Sequence, residues 1–383
     1  MPCDFDDLGA HSVLSRTREN ARTGAFARSR VRADAQVPSL LGVSLRSAQA
    51  RFEHEGPMML LDDRTLRTSA TRPVESDAAH LDWTLALAGG EGVRLQDYVQ
   101  RRFGRRLPKQ YCCLLGQRSM LQHTLDRMNK LTPASRTMTV IGTHHGEFAA
   151  PQLVGRCDHV FRQPSSRDTG MALYVALAMI KRWTPNAIVT ITPTDHYVAP
   201  SAKYVDQVRA ARSVAARMRD KIIILGATPS EPDPELGYLS LGAPLTEVPQ
   251  VRQVNGFVEK PSVALATELN TQGALWNTMV TCGSVEALWE LGRAADPRLI
   301  DILESFVPLV GTADEQDAIE YIYRAYLPVS FSRDMLERAP ERLAAMELEG
   351  VEWSDWGRPE RIETVLAIRR SKALVPTTRI SAP

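Results

Sequence analysis

From Trp83 to Gly226, short apolar runs alternate with long helical patterns, and this alternation restricts the chain to very few folds. Runs at 83–88, 137–142, 158–162, 187–193 and 221–226 read as strands, and stretches at 118–130, 168–183 and 201–219 read as helices. Such succession predicts an α/β domain with a mostly parallel, doubly wound sheet covered on both faces. The 168–183 stretch is apolar nearly all round, which predicts a buried helix. Its Met171–Ile180 segment is the longest apolar run and is too short to span a bilayer. After residue 230 the pattern turns irregular. Pro229, Pro232 and Pro234 precede short strands near 237–241 and 251–258. Helices resume near 284–294, 297–308 and 314–326, and a strand-loop-helix runs from Leu343 to Ile368.

Residues 1–79 differ. Arginines at 16, 18, 22, 28, 30 and 32 mix with acids and small polar residues, without a sustained period of 3.6 or 2. This extension is expected to be disordered or loosely docked and dispensable for chemistry. The domain is expected over 80–366, with a tail at 367–383. The acidic start, Met1 to Asp7, lacks the apolar core of a secretory signal. A net charge of +1 gives no reason to expect nucleic acid or an anionic membrane as partner. Five cysteines without metal-site spacing read as reduced thiols of a cytoplasmic protein. Oligomeric state is not legible, and a homo-oligomer stays open.

The first strand runs into Gly89-Gly90-Glu91-Gly92-Val93-Arg94. Three glycines in four positions let backbone N–H groups approach a polyanion closely, and Arg94 adds a cationic fork. Pro108-Lys109-Gln110 adds a second cation. Together they suggest a nucleoside triphosphate site. There is no Gly-Lys pair as in a Walker loop, and Leu95 stands where a dinucleotide fingerprint needs glycine. Taken alone, the loop reads equally well as a Gly-rich strand-to-helix turn.

Further polar clusters fall at predicted strand ends, where open α/β sheets bind ligands. They are Gln163 to Thr169, Pro193-Thr194-Asp195-His196, Gly237-Tyr238, Glu259-Lys260-Pro261, Trp276-Asn277-Thr278 and Trp353-Ser354-Asp355-Trp356-Gly357. With the glycine loop, Pro-Lys-Gln and Ser119-Met120-Leu121-Gln122, this series resembles the sugar-1-phosphate nucleotidyltransferases, and most closely their mannose-1-phosphate guanylyltransferase branch. The likeness covers roughly residues 82–366. It departs at Gln96-Asp97-Tyr98, at Asp168 where the branch often has Asn, and at Leu239-Ser240.

The resemblance implies a Rossmann-like, glycosyltransferase-A-like fold with a small sugar-binding β subregion. It implies a Mg²⁺-dependent enzyme joining a nucleoside triphosphate, GTP by preference, to a sugar 1-phosphate, with GDP-mannose and pyrophosphate as products. Gly89, Gly90, Gly92 and Arg94 would hold the triphosphate, and Lys109 would neutralise charge between transferred and leaving groups. Gln163, with Arg167 and Thr169 beside it, would face the nucleotide, Gln163 at the base edge. Gly237, Glu259, Lys260 and Asn277 would bind the sugar phosphate. Asp195 and Asp355 would hold Mg²⁺, because two close carboxylates repel unless a cation lies between them. Alternatives within the class use another sugar phosphate or UTP, dTTP or ATP. An alternative outside it is a silent nucleotide-sugar-binding regulator. Residue by residue, plainer readings exist: surface cations for Arg94 and Lys109, a turn or cap for Asp195, a strand end for Glu259-Lys260-Pro261, and a cap for Asp355 ahead of a helix near Pro359.

Overall fold

A computed structural model of the protein describes residues 82–374; the expectations for 1–79 lie outside the described residues. In chain order the first half holds β1 (Asp82–Ala88), α1 (Gln96–Phe103), α2 (Met120–Met128), β2 (Thr137–Ile141), α3 (Gly146–Leu153), β3 (His159–Arg162), α4 (Asp168–Trp183), β4 (Ile188–Pro193), β5 (Tyr197–Ala199), α5 (Ser201–Arg217) and β6 (Ile222–Ala227). The second half holds β7 (Gly237–Leu245), β8 (Val248–Glu259), α6 (Val263–Thr271), β9 (Leu275–Ser284), α7 (Val285–Ala295), α8 (Pro297–Phe306), α9 (Glu315–Ala325), β10 (Leu343–Glu347), β11 (Glu352–Ser354) and α10 (Pro359–Leu374).

Nine of these strands form one sheet in the order β3-β2-β1-β4-β9-β6-β10-β8-β7. Strands β1, β2, β3 and β4 pair in parallel, as do β6 and β10. β9 runs antiparallel to β4, β6 and β7, and β8 runs antiparallel to β10 and β7. All but β8 and β9 therefore point the same way, and the expected mostly parallel sheet is present with two reversed strands. The expected β subregion corresponds to the long β7–β8 hairpin at one sheet edge.

Both faces are covered. Helix α4 lies in the larger core with α7 and α8, and every residue from Gly170 to Ile180 is buried. Burying each large aliphatic side chain there contributes roughly 1.5–3 kcal/mol, so the N-terminal end of α4 is firmly anchored. Helix α5 packs on the opposite face through Tyr204, Val205, Val208 and Val214. A smaller cluster joins α1 to α10 through Val99, Ile362 and Val365. Helix α10 continues past residue 366 to Leu374. No helix among the described residues is long and apolar enough to cross a membrane.

Candidate active site

The parallel register builds the site. Leu87 of β1 lies opposite Pro193 of β4, so the glycine loop and the Thr194–His196 segment leave neighbouring strand ends together. Thr194 fastens the two, its backbone N–H and its hydroxyl both donating to the Leu87 carbonyl at 3.2 and 2.8 Å. Gly92 takes a left-handed conformation (φ 61°), and a Cβ there would come within 3.1 Å of the Lys109 amide nitrogen. Glycine is the residue that meets both demands. Gln110 then holds the loop from below, donating to the carbonyls of Ala88 (2.9 Å) and Gly90 (2.8 Å). The Tyr111 hydroxyl adds a third bond to Ala88 at 3.0 Å.

Lys109 is only 6% exposed. Its ammonium pairs with Asp195 Oδ2 at 3.0 Å and donates to the carbonyls of Asp355 (2.7 Å) and Trp356 (3.1 Å). The sequence did not announce those carbonyls. They arrive because β11 pairs antiparallel with β5, setting Ser354 opposite Tyr197 and Trp353 opposite Val198. Trp356 completes the seam by stacking on Tyr197, with centroids 5.1 Å apart and planes within 6°. Burial opposes charge on Asp195, but Lys109 and His196 outweigh it and hold its carboxyl below the usual carboxylate range. Burial lowers the His196 imidazole below its ordinary range despite Asp195 beside it. Asp355 turns its carboxylate to Arg361, which also reaches Asp233.

A cleft of about 720 Å³ opens between these strand ends, within the range of small-molecule sites. It is lined by one group of Gly89, Gly90, Gly92, Arg94, Asp195 and Asp355 and by a second of Gly237, Glu259, Lys260 and Asn277, while Lys109 is not in the lining and bonds to Asp195 and Asp355. The second group meets because Gly237 is cross-strand from Glu259, while β9 brings Asn277 alongside. A Cβ on Gly237 would strike Glu259 Oε2 at 2.7 Å. Burial raises the Glu259 pKa, with Lys260 opposing. Lys260 itself has φ 52°, a strained conformation for a lysine, which sits before Pro261. Asn277 Oδ1 accepts from the amide of Met279, another residue at positive φ (62°).

Gln163 and Thr169 line the same cleft, but Arg167 does not. The Arg167 guanidinium Nε donates to the Tyr323 carbonyl at 2.9 Å, and the neighbouring Asp168 faces the cleft in its place, with φ 65°. Side-chain direction at a strand-to-helix turn follows backbone dihedrals, which the Arg-Asp-Thr phrase does not reveal. Glu235, Ser332 and Arg333 also line the cleft and were missed, since Glu235 lies in the turn before β7 and the other two in a π-helical turn at Phe331–Met335, neither carrying a motif. Gln110 carried a signal as part of Pro-Lys-Gln, although its loop-bracing bonds need the structure to be seen.

One glycine gives a sharp test. A Cβ on Gly89 would lie 2.2 Å from Gln163 Nε2. The Gly89→Ala variant is expected to displace the Gln163 side chain while leaving the sheet intact. It should weaken nucleotide binding at the base more than at the phosphates. Titration with a nucleoside and with inorganic triphosphate would show this; equal loss for both would refute it.

The fold and cleft together define a doubly wound α/β protein that gathers cations, glycine amides and carboxylates at one sheet edge. The chain belongs to the nucleotidyl transferase family, whose profile matches residues 84–368. It is 28% identical over 229 residues to a mannose-1-phosphate guanylyltransferase of Escherichia coli, covering 58% of this chain and 48% of that protein. Against the enzyme of that name from Salmonella montevideo it is 30% identical over 202 residues, covering 51% and 41%. The chain thus spans about half the length of the curated relatives it matches. Among solved structures it is similar to one described as mannose-1-phosphate geranyltransferase from Thermus thermophilus, with TM-score 0.65 and 27% identity over 75% of this chain and 79% of that one. A structure described as mannose-6-phosphate isomerase from Helicobacter pylori shares the fold alone, with TM-score 0.57 and 18% identity over 72% of this chain and all of that one.

Proposed function

We propose that this protein is a sugar-1-phosphate nucleotidyltransferase that joins GTP and mannose 1-phosphate into GDP-mannose. The observation that carries the reading is one cleft lined by the glycine loop, Asp195, Glu259, Lys260 and Asn277, with the Lys109 ammonium paired to Asp195. A sugar-phosphate oxygen attacks the α-phosphorus in line, the bond from that phosphorus to the bridging oxygen breaks, and pyrophosphate leaves with the electron pair. Such transfer depends on positioning and charge neutralisation more than on a general base. Glycine-loop amides and Arg94 hold the triphosphate. Lys109, fixed by three acceptors before substrate arrives, is preorganised toward the developing charge. The mannose and guanine preferences rest on the names of the relatives and on the polar surroundings of Gln163.

Asp195 and Asp355 fit a magnesium site in donor chemistry. Both line the cleft, and a pair of carboxylates completed by phosphate oxygens suits this hard cation. The repulsion that called for a cation is already met by Lys109 and Arg361. No cluster of three or more His, Cys, Asp or Glu occurs among the described residues, so phosphate oxygens must complete the shell. When bound, Mg²⁺ would offset charge on the α-phosphate.

Pyrophosphate release across GTP, UTP, dTTP and ATP, each paired with several sugar 1-phosphates, tests the reading. A clear preference for a nucleotide other than GTP refutes the guanine assignment, and no release with any pair refutes the activity. Lys260→Ala is expected to act on the sugar phosphate. Loss of one charge-assisted contact, about 1.5–3 kcal/mol, weakens it roughly ten- to hundredfold. Nucleotide affinity in a calorimetric titration should stay unchanged; equal weakening of both substrates would argue for general disruption.

A further inference from the structure

Arg94 is not free in this structure. Its guanidinium Nη1 pairs with Glu235 Oε2 at 3.0 Å, and the same oxygen accepts from Arg358 Nε at 2.9 Å. Two guanidinium groups converging on one anionic oxygen is the arrangement that binds phosphate. Here an internal carboxylate occupies it. Glu235 and Arg94 both line the cleft, whereas Arg358 stands behind Glu235 and has Asp233 as a second partner at 3.3 Å. A Cβ on Gly357 would strike the Asp355 carboxylate and would be in ordinary contact with Arg94 Nη2 at 3.4 Å. The remaining ion pairs of this cluster, Arg361 with Asp233 and with Asp355, do not involve the glycine loop.

We propose that Glu235 is an internal stand-in for phosphate, so that triphosphate binding is a carboxylate-for-phosphate exchange on Arg94, with Arg358 retaining the displaced Glu235. This rests on the reading that the glycine loop and Arg94 hold a triphosphate. The exchange sets affinity and selectivity: an incoming ligand must outbid one carboxylate, which a triphosphate does and a monoanion does poorly. Arg358 acts through Glu235 and is a positioning residue. With Arg358 removed, Glu235 leans on Arg94 alone and competes harder.

The test is calorimetric titration of the full chain and its variants with inorganic triphosphate and with guanosine at low salt. Because the ion pair is exposed, the expected effects are modest, about two- to fivefold. Glu235→Gln should bind triphosphate tighter by that factor and guanosine as wild type does. Arg358→Gln should bind triphosphate more weakly, and that loss should vanish in the Glu235→Gln background. Unchanged or weaker triphosphate binding by Glu235→Gln overturns the exchange. A loss from Arg358→Gln that persists without Glu235 also overturns it, since Arg358 would then touch the phosphates itself. If wild type binds no triphosphate at all, the phosphate reading of the glycine loop falls as well. If it binds and turns over normally while Glu235→Gln is unaltered, only the exchange falls.

Discussion

Lys109→Met should abolish nearly all turnover while leaving a folded protein. The side chain is buried and fully engaged, with one carboxylate and two backbone carbonyls around its ammonium. Removing one preorganised donor from a transition-state site typically costs about 10²–10³ in rate, and a full positive charge sets this case at or above that range. Methionine preserves most of the packing volume, so the folding penalty comes from the orphaned acceptors, about 1–3 kcal/mol. Single-turnover pyrophosphate release and a thermal melt separate the two effects. Turnover within tenfold of wild type would remove Lys109 from the chemistry and leave it as a strut between the Pro108–Tyr111 turn and the 355–356 segment.

Asp195→Asn and Asp355→Asn should each lower turnover by roughly two to three orders of magnitude, as expected for losing transition-state charge stabilisation. Each should also raise the Mg²⁺ concentration needed for half-maximal rate. An unchanged Mg²⁺ requirement in both variants would dismiss the carboxylates as metal ligands. Asp195 carries a second signature. Its folded-state pKa lies below its unfolded value, with burial opposing and Lys109 and His196 prevailing. The carboxylate therefore adds stability that is fully present above the unfolded pKa, near about 4, and is lost as the pH falls through the folded pKa. The stability gap between wild type and Asp195→Asn should be widest near neutrality and close in acid. Urea unfolding from pH 3 to 7 reads it directly, and a gap that widens in acid contradicts the assigned pairing.

Much of the scaffold was legible. Helix α4 spans 168–183 as its all-apolar pattern predicts, and the five strand runs of the first half hold to within about two residues. Strand β9 was not recognised as a strand; only its Trp276-Asn277-Thr278 cluster was noted. Its Thr278, Thr281 and Ser284 interrupt the apolar run and are all buried; the Thr278 and Ser284 hydroxyls donate to the Leu225 and Arg219 carbonyls, whereas the Thr281 hydroxyl is buried without a partner. Strand direction was partly hidden too, because a period of two is the same whichever way a strand runs. At the site, the residues named by motif largely converge on one cleft. What stayed invisible were long-range pairings: Glu235 with Arg94, Arg361 with Asp233, and Lys109 with two backbone carbonyls. Main-chain acceptors leave no mark on composition. Ion pairs 141 and 128 positions apart follow from topology. Trp356, noted only within the Trp353–Gly357 cluster, is a packing residue, 2% exposed and stacked on Tyr197.

The β11–β5 seam has a bearing on how the molecule is made. Strand β5 precedes β11 by about 150 positions, and the two pair only after the chain has passed through β6, the β7–β8 hairpin, β9 and β10. During synthesis the glycine loop, Lys109 and Asp195 leave the ribosome long before their last partners, and the domain folds as a unit. A nascent chain halted after Gly350 holds every residue of the large sheet, yet its Lys109 ammonium lacks two of three acceptors. Catalytic competence thus comes near the end of the domain's synthesis, and a polypeptide cut short there is expected to be compact but inert.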